Sequence, residues 1–463
     1  MEPVAPSLPV PLSLACCGIG LLLVAVEIWR LRSREVAFLL LAMWLRYSAA
    51  AFHEVTYRPA LLGLSFIALT SVAVVAVGLI VIDRRKLLLH RLMPIYALMA
   101  IILVSAIANS AWVGLVNEII KWCYLVVLAL AAYGAMERHG SDRVLRAVLF
   151  TFAGPIAAQW VSIAMGLQVA NEDGTPSFIG GYGHEQAFSI ILLTFLVVNC
   201  LATKLGTTSA FLRLAVAAIG LVLANYRTTL LAAAVPAASF AVSKLMRLFV
   251  RNQRTVALVF LCAMTAVAFI GVAHLAADRF ADIGTTLHKG ASLIQPPQYF
   301  TREEKRIFSG RMYLWSQYID AYMDGMVIEK LIGFGPDSWV GRFPLYAHNT
   351  FISNLYELGI LGFVAFVWIL AANCLAAAQA REGKVVVLAC HIGFVVLNLA
   401  TMPIWTLEGD ILYALLLAHT WYLAPRVPVP AARYRGLARR LDTARLSTFT
   451  LGPSNVPTRG THR

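Results

Sequence analysis

The sequence predicts an all-α polytopic membrane protein, and three observations carry that prediction. Hydrophobic residues make up 60% of the chain and charged residues only 13%, roughly half the charged share of a soluble domain. Apolar runs of about 20 residues recur along it, each long enough to cross a hydrocarbon core of roughly 30 Å. The runs are continuous and do not alternate. Because backbone polar groups in lipid must be satisfied internally, continuous runs read as helices and not as barrel strands.

About 12–13 spans follow in order, at roughly 10–29, 35–52, 60–82, 92–109, 113–135, 144–167, 186–202, 210–225, 228–243, 255–275, 349–375, 385–404 and 408–424. Residues 225–229 join two short spans or break a single helix. The connections sort by charge. Arg30/Arg32/Arg34, Arg84/Arg85/Lys86/Arg91, Arg138/Arg143/Arg146, Lys204/Arg213, Lys244/Arg247/Arg251/Arg254 and Arg381/Lys384 share one side with the arginine-rich tail. The positive-inside rule makes that side cytoplasmic, with the N-terminus outside and the C-terminus inside. The other side receives 53–59, 110–112, 168–185, 225–228, 276–348 and 405–407. The long loop 276–348 holds eight basic and eight acidic residues, so its charge does not oppose export. One transmembrane domain is therefore expected over 1–424, loop included. A basic segment, 425–463, follows with too little apolar content to build a core, and its cations could touch anionic membrane lipid. No inverted repeat of the transporter kind is visible.

A net charge of +14 would suit a polyanion, but its placement in alternate short loops and the tail is a topology signal, so no nucleic-acid partner is expected. The seven cysteines all lie in apolar segments and read as small buried hydrophobes, not disulfides. The first ten residues carry no Lys or Arg, so a cleaved secretory signal is not expected.

Ionisable side chains inside spans are costly and mark candidate sites. Arg46 lies toward the outer end of the second span. Glu118 and Lys121, early in the fifth, are three apart and share a helix face, so they either neutralise one another or serve a ligand. Arg227, in Asn225-Tyr226-Arg227-Thr228-Thr229, sits at an outer helix junction, where it snorkels or binds an anion. These cations share the outer half of the membrane, which suits an anionic lipid-linked substrate, and the arginine fork meets two phosphate oxygens at once. His184, in a Gly-rich outer turn, is a second histidine candidate or an ordinary loop residue.

In the long loop, 309–326 reads as an amphipathic helix. Ser309 is its expected N-cap, Arg311 lies in its first turn, and Met312, Trp315, Ile319, Tyr322 and Met326 form its stripe. Gly333-Phe334-Gly335-Pro336-Asp337 is turn chemistry, with no preceding strand to make it a nucleotide motif. His348-Asn349 opens the next span. A neutral histidine there can take a proton from a hydroxyl nucleophile, or it is a structural interface histidine. Nine helical steps put Glu357 on the opposite face, as an expected partner for another span. No His/Asp/Glu cluster has metal-ligand spacing, so neither metal nor cofactor is expected.

Taken together, Asn225-Tyr226-Arg227-Thr228-Thr229, Ser309-Gly310-Arg311 with Trp315, Gly333-Phe334-Gly335, and His348-Asn349 with Leu358-Gly359-Ile360-Leu361-Gly362 resemble the O-antigen ligase and O-antigen polymerase superfamily, best over about 210–375. The resemblance implies a metal-independent glycosyltransferase of the membrane GT-C type in the bacterial inner membrane, with the long loop periplasmic. Its donor would be a glycan on undecaprenyl diphosphate. His348 would be the base, Arg227 and Arg311 would hold the diphosphate, and Arg46, Lys121, Asn349 and Tyr226 would bind substrate. A polymerase of surface polysaccharide, with a chain-length regulator as partner, is the expected member. A ligase to lipid A-core and a protein O-glycosylating relative are alternatives. A lipid-linked oligosaccharide flippase would show intramembrane charges through both leaflets and repeated halves, and a purely structural subunit would leave Arg46, Arg227 and Arg311 unexplained.

Overall fold

The computed structural model describes residues 6–61, 64–170, 176–253, 255–260, 263, 267 and 294–425. Most of the expected span 255–275, the first part of the long loop, Cys262 and the basic tail lie outside the described residues. The chain divides into two compact units, Met1–Ala424 and Pro425–Arg463, and every helix named here belongs to the first.

In chain order these are α1 (Val10–Leu31), α2 (Arg34–Ala51), the single turn α3 (His53–Thr56), α4 (Phe66–Val81), α5 (Met93–Ala108), α6 (Trp112–His139), α7 (Ser141–Leu149), α8 (Ala153–Ala164), α9 (Glu185–Leu201), α10 (Thr207–Ala224) and α11 (Arg227–Leu245). After the undescribed stretch come α12 (Arg311–Met323), α13 (Val327–Ile332), α14 (Thr350–Ala378), α15 (Lys384–Ala400) and α16 (Leu407–Leu423). The only strands among the described residues are two short hairpins, Pro59–Leu61 with Leu64–Ser65 and Val169–Ala170 with Pro176–Ser177. Seven stretches among the described residues are long and apolar enough to cross a membrane. The protein is a multi-pass helical membrane protein.

The centre of the bundle is built by helices that are apolar all round, the pattern of a helix with no water-facing side. Tyr124 to Met136 of α6 and Leu407 to Trp421 of α16 are buried without interruption, and nearly all of α9 is too. Tyr413 of α16 stacks flat on Phe394 of α15, ring centres 4.2 Å apart. At the periphery, Leu22 and Trp29 of α1 and Leu212 and Val222 of α10 stay exposed, as lipid-facing side chains should.

The span expected at 144–167 is one stretch long and apolar enough to cross a membrane, Ser141–Ala164, in which α7 runs into α8 through a tighter helical turn at Phe150–Phe152, with Pro155 in the first turn of α8, where a missing N–H is tolerated. The 225–229 junction is a true break. Asn225 ends α10 in the left-handed conformation, φ 56°, and Tyr226 starts α11 from extended backbone. Short polar Asn adopts that conformation more readily than most residues.

Connections gather at two ends. At the basic end, Lys86 meets Glu137 at 2.6 Å, Arg138 meets Glu35 at 3.1 Å, Arg91 donates to the Trp421 carbonyl at 2.6 Å, and the Lys204 backbone N–H donates to Asp142 at 2.8 Å. The other end collects the two hairpins, the 176–185 turn, the α10–α11 break, the loop from 294 and the 401–406 connection.

The loop is stitched to α14 by backbone. The Phe334 and Gly335 N–H groups donate to the carbonyls of Tyr356 and Glu357 at 3.1 and 3.0 Å. Those carbonyls are free because α14 breaks at Gly359, φ 66°, ψ −169°. Gly333 shares that conformation, φ 80°, ψ −177°, a region open essentially to glycine alone. A Cβ on Gly333 would run into the Glu357 carbonyl, and one on Gly359 into that of Leu331. The Gly-Phe-Gly-Pro and Leu-Gly-Ile-Leu-Gly motifs are thus two sides of one contact. Gly359→Ala should lower stability by at least ~1–3 kcal/mol from backbone strain alone, read as a drop in thermal unfolding temperature in detergent. An unchanged transition would mean the break is not held by this contact.

Candidate active site

Three pieces of chain build the corner around His348. The first is the start of α14. Asn349 is its N-cap: its side-chain oxygen accepts from the N–H groups of Phe351 and Ile352 at 2.9 and 3.2 Å, and its amide donates to the Leu399 carbonyl at 2.9 Å. Both ends of that side chain are engaged in holding the helix mouth, so Asn349 positions its neighbour and does not face the cavity described below. His348, one residue earlier, takes φ 49°, a conformation that turns the chain sharply before the helix begins.

The second piece is α12, which clamps the segment leading to His348. Trp315 Nε1 donates to the Ala347 carbonyl at 2.8 Å and Tyr318 Oη to the Leu345 carbonyl at 2.9 Å. The buried face of this helix is Leu314 and Tyr318, whereas Ile319 and Met326 of the expected stripe are exposed. The stripe was set one position off because Tyr318, stacked on Phe343 at 4.0 Å, packs against the loop itself and not against a flat surface. Nor does Ser309 cap α12. Gly310, φ 76°, precedes Arg311 with no side-chain cap.

The third piece is the start of α11. Arg311 Nη1 donates to Thr228 Oγ1 at 3.5 Å, and the Arg311 guanidinium lies 5.6 Å from the Phe308 ring centre. Tyr226 is within hydrogen-bonding reach of Arg311 and Thr401, and its hydroxyl donates to Gln186 Oε1 at 3.5 Å. Arg227 enters the corner by chain adjacency, as the half-buried first helical residue between Tyr226 and Thr228.

His348 packs on Tyr346, ring centres 3.9 Å apart, and its Nδ1 is buried with no hydrogen-bond partner. Burial, then the positive charge of Arg311, then His184 push its pKa down from 6.5 to about 4. At neutral pH it is an uncharged imidazole. Among the described residues Arg311 meets no carboxylate.

Beside this corner lies a cavity of about 430 Å³, lined by Arg46, Tyr57, Lys121, His184, Gln186, Tyr346, Trp405 and Glu408 among others. It joins the corner through Gln186, whose Oε1 also accepts from Tyr346 Oη at 3.3 Å. Arg46 and Lys121 are thus brought to the same end as His348, but each already has a carboxylate. Arg46 makes a two-pronged pair with Glu408, Nε–Oε1 2.9 Å and Nη2–Oε2 3.0 Å, with Tyr57 Oη at 3.3 Å. Lys121 meets Glu118 at 2.7 Å and lies over Trp405 at 5.2 Å. Of the two readings left open for Glu118 and Lys121, the ion pair is the one formed. His184 caps α9, its Nδ1 accepting from the Gln186 N–H at 3.0 Å, while its ring lines the cavity.

Glu357 departs from expectation. Its carboxylate takes the Ser353 hydroxyl at 2.6 Å and the Asp337 N–H at 2.8 Å, so its partner is the loop, not another span. Glu408 and Asp410 were missed. Both are fully buried, and neither Asp410 oxygen has a hydrogen-bond partner. Two carboxylates opening an apolar helix, Leu407-Glu408-Gly409-Asp410, were the available signal.

Residues 212–367 match the family model described as O-antigen ligase. Over that segment the chain is similar to the O-antigen ligase family. The segment covers Tyr226, Arg227, Arg311, His348 and Asn349, and leaves out Arg46, Lys121, Gln186, Trp405 and Glu408. Members of that family are glycosyltransferase-like membrane enzymes. No curated protein matches the chain.

The matched segment therefore holds the histidine–arginine corner, and the described residues that line the cavity, Tyr346 apart, come from outside it. Glu408→Gln strands the Arg46 charge in the bundle, and removing one member of a buried pair costs about 3–5 kcal/mol. The variant should show a clearly lowered unfolding temperature in detergent, part of which Arg46→Gln in the same chain restores. A double variant no better than Glu408→Gln alone would show that the two do not act as a unit.

Proposed function

We propose that this chain is an inverting glycosyltransferase that polymerises undecaprenyl-diphosphate-linked oligosaccharide repeat units into a surface polysaccharide at the periplasmic face of the bacterial inner membrane. The observation that carries the reading is the pairing of an uncharged His348, its Nδ1 without a hydrogen-bond partner, with Arg311, a cation that meets no carboxylate among the described residues. The cytoplasmic side is assigned to the basic end by the positive-inside rule, which makes the His348 end periplasmic.

Departure of a diphosphate from an anomeric carbon builds negative charge on the leaving oxygens. Arg311, with Arg227 beside Thr228 and the Tyr226 hydroxyl, is the set that stabilises it. In this reading the arginines take that charge. His348 takes the proton of the acceptor hydroxyl, the oxygen attacks the anomeric carbon from the face opposite the diphosphate, and the configuration inverts.

Arg46 and Lys121 enter in a role other than phosphate binding. With Glu408 and Glu118 already opposite them, their cavity is close to neutral and offers the faces of Trp405 and Tyr346. That suits a sugar ring better than a diphosphate, and in this reading the cavity receives the glycan while Arg311 receives the phosphates. The second reading, a ligase that moves the finished glycan to lipid A-core, is favoured by the description of the family model itself. Lipid-linked single repeats supplied alone to the purified protein separate the two. Polymer means polymerase, and no product until lipid A-core is added means ligase.

His348→Ala should lower kcat by roughly 10²–10⁴-fold, the usual worth of a general base, with unchanged protein level. Normal polymer length and normal ligation in cells carrying it would remove the base assignment. Arg311→Lys should cost about 100-fold in kcat if a two-oxygen contact is made in the transition state.

The pH dependence has a defined sign. In the free enzyme His348 loses base function only as pH falls through about 4, so the acid limb of kcat/KM lies there and not near 6.5. A bound diphosphate offsets the Arg311 charge that depresses this pKa, so the acid limb of kcat should lie at higher pH than that of kcat/KM. Coincident limbs in steady-state profiles would separate Arg311 from the diphosphate.

A further inference from the structure

We infer that the basic end of the bundle holds a site for the phosphate of an anionic phospholipid, formed by Ser243, Lys244, Arg247 and Lys384 where α11 meets α15. This inference is independent of the proposed reaction. A cavity of about 220 Å³ opens there, lined also by Cys200, Thr203, Phe240, Gly383, Val385 and Val386, with no carboxylate in its wall.

The charge around it is uncompensated. Lys244 is buried, its ammonium fixed by the carbonyls of Thr203 and Leu205 at 2.7 and 3.0 Å. Carbonyls orient that charge but do not neutralise it. Arg247 and Arg213 act on Lys244 as like charges, and Asp142 is the one acid that acts on it. Asp142 is itself engaged by Lys204, accepting from its backbone N–H at 2.8 Å and lying 3.8 Å from its ammonium. Arg247 and Lys384 have no ion pair among the described residues. Like charges collected around a cleft of low dielectric repel one another and favour a bound anion. The first turn of α15 adds to this. It starts at Gly383, φ 60°, with no side-chain cap, and Gly383 to Val386 line the cleft, so the partial positive charge of the helix start lies at its wall.

Depth and wall choose the source of the anion. Lys244 lies in the last turn of α11 and Lys384 is the first residue of α15, so both sit where a span ends and headgroups begin. The phosphate of a lipid lies at that level by default. Phe240, Val385 and Val386 form an apolar flank, which suits a glycerol backbone and the start of an acyl chain and offers nothing to a free inorganic ion. Basic pockets between helices on the cytoplasmic side are a recurring form of lipid recognition.

The test uses the full chain in detergent, titrated with phosphatidylglycerol or phosphatidylcholine and read by native mass spectrometry as the fraction carrying lipid. The wild type should retain phosphatidylglycerol in preference to phosphatidylcholine. Arg247→Gln and Lys384→Gln, both at exposed positions where folding is not at stake, should each weaken that retention roughly fivefold. Arg84→Gln removes an exposed cation at the same end outside the cavity and should leave it unchanged. Equal retention of the two lipids, wild-type retention in the Arg247→Gln/Lys384→Gln double variant, or an equal loss in Arg84→Gln would each overturn the site. Inorganic phosphate should not displace the lipid at millimolar concentration. Displacement together with loss of the preference for phosphatidylglycerol would assign the cleft to free phosphate and overturn the lipid.

Discussion

The break in α14 at Gly359 is the constraint on which the placement of His348 depends. A continuous helix would have kept the carbonyls of Tyr356 and Glu357 in its own ladder. Because the helix steps there, those carbonyls face the loop and take Phe334 and Gly335, while the Glu357 carboxylate takes Asp337. Irregular backbone at this depth is tolerated only where protein covers it, and here the end of α5 reaches it, Ser105 donating to the Glu357 carbonyl and Asn109 to the Gly333 carbonyl, both at 3.1 Å. His348 is carried on the last residues of that loop, so its place relative to Arg311 is inherited from a contact between glycines more than ten residues away.

A second level of order is electrostatic. Arg46, Lys121 and Arg311 differ in what faces them. Arg46 has Glu408 on two of its nitrogens, Lys121 has Glu118, and Arg311 has a threonine hydroxyl at 3.5 Å. A buried pair of opposite charges is close to neutral toward a ligand, whereas a lone guanidinium keeps most of its field. The same residue type therefore stands in two different electrostatic settings, and the cavity that holds Arg46 is linked to the corner that holds Arg311 through Gln186, the shared acceptor for Tyr226 and Tyr346.

Much of this was legible in the sequence. The spans follow from apolar runs, the two ends from the distribution of Lys and Arg, and the motifs around Arg227, Arg311 and His348 led to the family that the 212–367 match names. What stayed hidden has a physical reason in each case. The pairing of Arg46 with Glu408 joins residues 362 apart in the chain, and no local pattern encodes such a distance. The buried stripe of α12 was set by Tyr318 stacking on a loop, which helical periodicity cannot anticipate. Glu357 reads from the sequence as a partner for another span, but its carboxylate takes the Asp337 N–H, and backbone donors carry no sequence signature. Asp410 was readable and passed over, since it stands in the same apolar helix start as Glu408.

The shared acceptor Gln186 has one more implication. It precedes the ligase-family segment, as do Arg46, His184 and Lys121, while Trp405 and Glu408 follow it. Among the described residues that line the cavity, Tyr346 alone lies within 212–367, so nearly the whole wall is supplied by the rest of the chain. Two proteins alike over that segment can share the corner around His348 and Arg311 and still admit different molecules, because what lines the cavity is inherited separately. Chemistry and selectivity in this architecture are free to diverge at different rates, and a chimera that exchanges the segment alone would carry over the first without the second.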